Sequence, residues 1–303
     1  MDNIIRFDWA AKRMLRDKAN FGVFEGLITV LLNEKVTIIE LLESEANQES
    51  EDDKFNRVDI KARNSKDEII LVEIQQTREL YYLQRVLYGV AKAVSEHISS
   101  GDSYANVKKV YSINILYFDL GQGADYLYHG QTKFMGVHTN DELKINTREK
   151  DSIVMTTPEK IFPEYYLIRV NEFNKVATTP LEEWIEYLKT GTIKENTNAP
   201  GLQEAKEKLQ YLKMSRDERL AYDRHIDNIR VQKDILETKV LEGLEQGRKE
   251  GRAEGKAEGI AEGRAEGEHK KMMDIAKKMK ESGMNIPIIR EMTGVNEDDL
   301  INL

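Results

Sequence analysis

The chain of 303 residues carries 45 Lys and Arg against 54 Asp and Glu, a formal net charge of −9 with a pI near 5.3, and contains no cysteine. That balance speaks against a general nucleic-acid coat, whose affinity comes from neutralising phosphates with Lys and Arg, although an enzyme needs only a local basic lining. Without cysteine there are no disulfides or thiolate metal sites, only oxygen ligands; no run approaches the roughly 18 apolar residues of a membrane span, and without a signal-peptide pattern at the start the expected location is cytoplasmic.

The 40% hydrophobic content suffices for one substantial core and a smaller appendage. Residues 1–176 alternate helical and strand patterns, as an α/β core would. Phe21 to Leu32 has helical spacing that gathers Phe24, Leu27, Ile28 and Leu31 on one side, and the β-branched run Val36 to Leu42 reads as the first strand. Glu43, Glu45, Glu49, Glu51, Asp52 and Asp53 follow as an acidic block, read as a solvated loop or strand edge.

A hairpin comes next. In Arg57 to Ala62, Val58, Ile60 and Ala62 share one face and Arg57, Asp59 and Lys61 the other; in Ile70 to Gln75, Glu73 and Gln75 form the polar face. Asn64 to Glu68 has turn composition. A turn centred near Lys66 makes Asp59 and Glu73 direct cross-strand neighbours, with Cβ atoms about 4.5–5.5 Å apart. Two carboxylates so placed repel. A shared divalent cation offsets that, since Mg²⁺ is held by one or two carboxylates plus waters and phosphate oxygens. Lys61 and Arg57 are the other residues able to relieve it, and a half-buried hairpin with a merely polar outer face fits the same spacing.

A helix from Arg78 to Ser99, a strand from Val107 to Phe118 and weaker strands near Lys133–His138 and Tyr165–Val170 complete the core. Arg85 and Tyr88 share a face of that helix. His97, His129 and His138 are scattered without zinc-ligand spacing.

Residues 177–241 read as a charged helical scaffold, opening at Pro180 with Thr179 as cap and with Trp184, Ile185 and Leu188 as an apolar stripe; Asn196–Gly201 is a loop. In residues 242–268 glycine recurs every fourth position, from Gly243 through Gly247, Gly251, Gly255, Gly259 and Gly263 to Gly267. As an isolated helix this stretch loses about 6–7 kcal/mol relative to alanine. Its Glu and Arg stripes are like-charged at four-residue spacing and drift about 40° per repeat. The expectation is a helix that needs a partner, hence a homo-oligomer; a flexible charged linker is the alternative. Residues 269–303 read as three short helices, Lys271–Glu281, Pro287–Met292 and Glu297–Asn302, turning at Gly283 and Gly294 with Asn296 as a cap. Glu297, Asp298 and Asp299 would meet phosphates with like charge, so this module suits packing or protein contact better than DNA reading.

Asp59, then Glu73-Ile74-Gln75 on the next strand, then a helix with Arg85 and Tyr88, resembles the recombination-promoting nuclease (Rpn) family, also labelled transposases, of the PD-(D/E)XK nuclease superfamily. Similar features are Asp8 to Lys12, Gly101 to Tyr104, Val110 to Leu116, the glycine-rich segment and the stretch from Ile275 to Gly294. The resemblance implies a restriction-endonuclease-like α/β fold, a mixed-sheet core flanked by helices and followed by an α-helical C-terminal region. It also implies a metal-dependent DNA endonuclease linked to recombination or mobile-element movement. Asp59, Glu73 and the Ile74 carbonyl would hold Mg²⁺, with Glu25 as an extra acid from the first helix. Gln75, where the superfamily usually has lysine but this family has glutamine, would orient water or phosphate, and Arg85, Tyr88 and Lys61 would contact DNA. The competing expectation is an oligomeric interaction protein with a weak or inert nuclease-like core.

Overall fold

The structure, a computed structural model, describes residues 4–13, 17–42, 59–149 and 152–302. The acidic block and the pair Arg57-Val58 lie outside the described residues. The chain divides into two compact units, Met1–Asp223 and Arg224–Leu303.

The first unit is built on a six-stranded mixed sheet ordered β1-β2-β3-β4-β8-β5. Its strands are β1 (Ile38–Leu42), β2 (Ile60–Asn64), β3 (Ile69–Gln75), β4 (Val110–Leu116), β5 (Leu127–Gly130) and β8 (Glu164–Arg169); β6 (Ile145–Glu149) and β7 (Ser152–Thr156) pair only with each other. β1, β2 and β3 are antiparallel, whereas β3, β4 and β8 are parallel. The parallel step from β3 to β4 needs a crossover. Helix α3 supplies it; in chain order the unit's helices are α1 (Phe7–Arg13), α2 (Phe21–Leu32), α3 (Tyr82–Ser95), α4 (Pro180–Thr190) and α5 (Leu202–Lys208).

One sheet face is covered by α3. Val90 and Ala93 pack on Ile69, Leu71 and Val110, while Tyr82 and Val86 pack on Leu116 and Phe118. On the opposite face Ile60, Ala62, Ile70, Val72, Ile74, Ile113 and Ile115 are buried. With both faces covered, β3 and β4 read as near-continuous apolar runs, as buried parallel strands do.

Helix α2 keeps its expected span, and Asn33 ends it in the left-handed conformation. Gly26 lets α2 approach the turn into α5 so closely that a Cβ there would overlap the Pro200 carbonyl. Thr179 caps α4 as read from the sequence, and Glu182 completes a capping box. Trp184, Ile185, Tyr187 and Leu188 are fully buried, Trp184 and Tyr187 edge-on to Phe7. α4 and α5 thus pack into the first unit, against α1 and α2.

In the second unit α6 (Arg216–Glu281), which begins at the end of the first, runs for 66 residues through the entire glycine repeat. The segment Lys271–Glu281 is its last stretch, not a separate helix. Ala276 on α6 packs with Ile289 of α7 (Ile286–Thr293) and with Val295 and Leu300, the latter on α8 (Glu297–Ile301). Asn285 caps α7; Asn296 stands at the cap position of α8, but its side chain makes no capping bond. Gly283 and Gly294 adopt positive φ at the turns. Among the described residues no helix is long and apolar enough to cross a membrane.

Candidate active site

The hairpin turn sets the site. Asn64 Oδ1 accepts the Lys66 and Glu68 N–H groups at 3.0 and 2.9 Å, and Asp67 enters the left-handed region at φ 64° between Arg63 and Lys108. The register that results pairs Ile60 with Val72 and Ala62 with Ile70 about a centre at Lys66. Asp59 therefore falls opposite Glu73, one position past the end of β2.

There the ladder ends, and the Ile74 N–H donates to Asp59 Oδ2 at 2.6 Å. Glu73 is buried and faces α3, where Arg85 Nη2 pairs with its Oε1. The same guanidinium donates to Gln75 Oε1 at 3.1 Å and to Glu79 Oε1 at 2.8 Å; Gln75 Nε2 also donates to Glu79 Oε1, at 2.9 Å. One cation thus gathers the oxygens of Glu73, Gln75 and Glu79. Tyr82 lies behind them, its hydroxyl donating to Asn114 Oδ1 at 2.9 Å. Burial drives the Tyr82 phenol far above its ordinary pKa; Glu73, Asp59 and Glu79 push it the same way while Arg85 opposes.

Asn114 is the β4 neighbour of Glu73 and is almost fully buried. Its amide donates to Ser112 Oγ at 3.1 Å and to the Tyr166 carbonyl at 3.3 Å, so a polar row lies beneath the acids. Sequence reasoning missed Glu79, Tyr82 and Asn114. Ser112 and Asn114, two residues apart on an otherwise apolar strand, were the available signal.

Two expected residues, Glu25 and Lys61, engage other partners. Glu25 Oε1 accepts the Ile38 N–H at 2.6 Å, and Ile38 pairs with Asn64 at the turn end of the hairpin. Asp59 lies five residues along β2 from there, about 16 Å away by strand rise. The structure does not bring Glu25 to the pair. The first helices instead bring buried Asp8, whose Oδ2 accepts the Gln76 amide at 2.7 Å just beyond β3. Lys61 commits its ammonium to Glu96 at 2.6 Å, at the far end of α3. Tyr88 is exposed one turn along α3 from Arg85.

Among the described residues no three His, Cys, Asp or Glu side chains form a metal-binding group. Two carboxylates with carbonyl and amide oxygens nonetheless make a hard-oxygen donor set of the kind divalent cations take. The Arg85 guanidinium stands in for positive charge at that spot, so the residues fit a divalent ion.

A family model described as PD-(D/E)XK nuclease family transposase matches residues 5–239. No curated protein and no solved structure matches the chain.

Proposed function

Since the chain belongs to the PD-(D/E)XK nuclease family transposases, we propose that this nuclease is a metal-dependent DNA endonuclease acting in recombination or mobile-element movement. The observation that carries the reading is the register that sets Asp59 opposite Glu73 beside the Arg85 guanidinium.

Asp59 and Glu73 would hold Mg²⁺ together with the Ile74 carbonyl. Bound there, the ion acidifies an attacking water and neutralises charge on the leaving oxygen. Gln75 orients that water or the scissile phosphate through its amide but adds no charge. Arg85 supplies the missing cation: its planar fork leaves Glu73 and Glu79 for two phosphate oxygens. Tyr88 offers its hydroxyl to the sugar-phosphate chain.

Self-association through α6 is part of the same proposal. Ile235, Leu236, Val240 and Leu241 are exposed ahead of the glycines and Leu244 just after the first of them, an apolar stretch with which a second copy could pack.

One observation favours the second reading, an oligomeric interaction protein with an inert core: Arg85 already occupies Glu73. Plasmid nicking separates the two. The nuclease reading expects cleavage with Mg²⁺ or Mn²⁺, none with EDTA, and loss of cleavage in Asp59→Ala and Glu73→Gln; equal cleavage by all three proteins removes it.

A further inference from the structure

Against Glu79 and Tyr82 lies an open pocket of about 420 Å³, lined also by Leu83, Leu87, Phe118, Leu120 and Arg78. That volume falls in the range of small-molecule pockets and exceeds what one nucleobase needs. Its wall is apolar. Leu83 and Leu87 are 51% and 60% exposed, while Phe118 forms a floor held edge-on against Tyr82 at 5.6 Å. Glu79 also lines the cavity, and its carboxylate is the one that accepts from Gln75 and Arg85. Cavity and acidic site therefore share a wall.

Duplex DNA offers little to such a surface. Its exterior is phosphate and sugar, and its base faces are stacked inside; an unpaired base presents two apolar faces and a polar edge. Arg78 is exposed at the cavity, with Asp119 as an electrostatic neighbour, so a phosphate next to the inserted base has a cation to meet. Tyr81, 74% exposed at the cap of α3, and Tyr88 on that helix stand before and after Arg85 in the chain, two further faces on which bases could stack. A chain of net charge −9 is also poorly suited to tracking a long duplex by phosphate neutralisation.

We propose that this cavity receives an unpaired nucleobase beside the scissile phosphate, so that the substrate is single-stranded DNA. The inference rests on the nuclease reading of the neighbouring acids. Its test reads binding without turnover, so the two can fail separately. Fluorescence anisotropy on the full chain in Ca²⁺ would compare a short labelled single strand with the duplex of the same sequence, using the unaltered protein, the double variant Leu83→Ser/Leu87→Ser and Leu87→Gln. Stacking of this kind predicts single-strand binding about tenfold tighter than duplex. Both variants should lose that preference while keeping duplex affinity and the thermal midpoint. Leu87→Gln makes an exposed rim position polar without adding a stacking face, and so tests the pocket even where the double variant folds poorly. Equal affinities in the unaltered protein, or a preference intact in Leu87→Gln, overturn the proposal. So does a loss of self-association in the variants with single-strand binding unchanged, which assigns the cavity to protein contact. Tight single-strand binding without Mg²⁺-dependent cleavage would sustain the pocket and sink the catalytic reading instead.

Discussion

Arg85 on α3 holds Glu73 on β3 through the nitrogen that also reaches Gln75, so the cation of the site is tied to the acid a metal would need. Guanidinium and metal compete for the same carboxylate. Arg85→Ala should therefore tighten divalent-ion binding about fivefold, the worth of one partly exposed ion pair. The same change should lower cleavage at least about tenfold through loss of a phosphate donor. Calorimetric titration and initial nicking rates on one preparation check both arms; a fall in metal affinity would show that Arg85 supports the ion rather than excluding it.

The Tyr82–Asn114 bond pins α3 to β4 beneath the acids. Asn114→Ala strands a buried phenol and opens a gap, for a loss of about 2 kcal/mol, whereas Tyr82→Phe should lose about 1 kcal/mol. Urea midpoints distinguish them. Equal losses would mean that the amide's bonds to Ser112 and Tyr166 contribute nothing.

At the start of α4, Lys175 and then the Thr178 N–H hold the Glu182 carboxyl at about 2, below its ordinary value of 4.5. A depressed folded pKa contributes stability that is fully present above about 4.5 and is lost as pH falls toward about 2. The unaltered protein should lose thermal stability more steeply than Glu182→Gln between those limits. Thr179→Ala, which removes the reciprocal cap, should lose about 1 kcal/mol at neutral pH. Melting curves across acid pH check the first and a chemical denaturation series the second.

Open space surrounds Gly251, Gly255 and Gly259 on α6. Alanine at each should raise helix stability by about 0.8–1.0 kcal/mol per site. If the glycines serve close approach of a second chain, the triple variant should be more helical by circular dichroism yet sediment as a smaller species. Unchanged sedimentation would take the glycines out of any interface.

The hairpin was legible because a turn of Asn, Ser, Lys, Asp and Glu joins two apolar strands and centres their register at Lys66, and that register, carried one residue beyond β2, puts Asp59 across from Glu73. Thr179 and Pro180 marked α4 for the same kind of local reason. β5 escaped notice because Leu127–Gly130 is four residues long with three of them exposed. The hairpin of β6 and β7 pairs only with itself and carries no clean apolar alternation. The strand expected near Lys133–His138 reduces to a single bridge at Met135, since that stretch has no neighbouring strand to bury it. Glu25 shows the limit of helix-face reasoning: its helix was read with the right bounds, but its carboxylate turns to a backbone donor that only the fold places there. Residues 78–81 stay outside α3, whose first helical residue is Tyr82, because Gln75 and Arg85 both bind Glu79 and fold that segment into a turn.

Manganese uptake followed by electron paramagnetic resonance tests the acidic pair most directly, since it reads the ion without requiring DNA or turnover. One Mn²⁺ bound per unaltered chain, displaced by Mg²⁺ and lost in both Asp59→Asn and Glu73→Gln, is the result predicted. Equal uptake by all three proteins would contradict a metal held between β2 and β3.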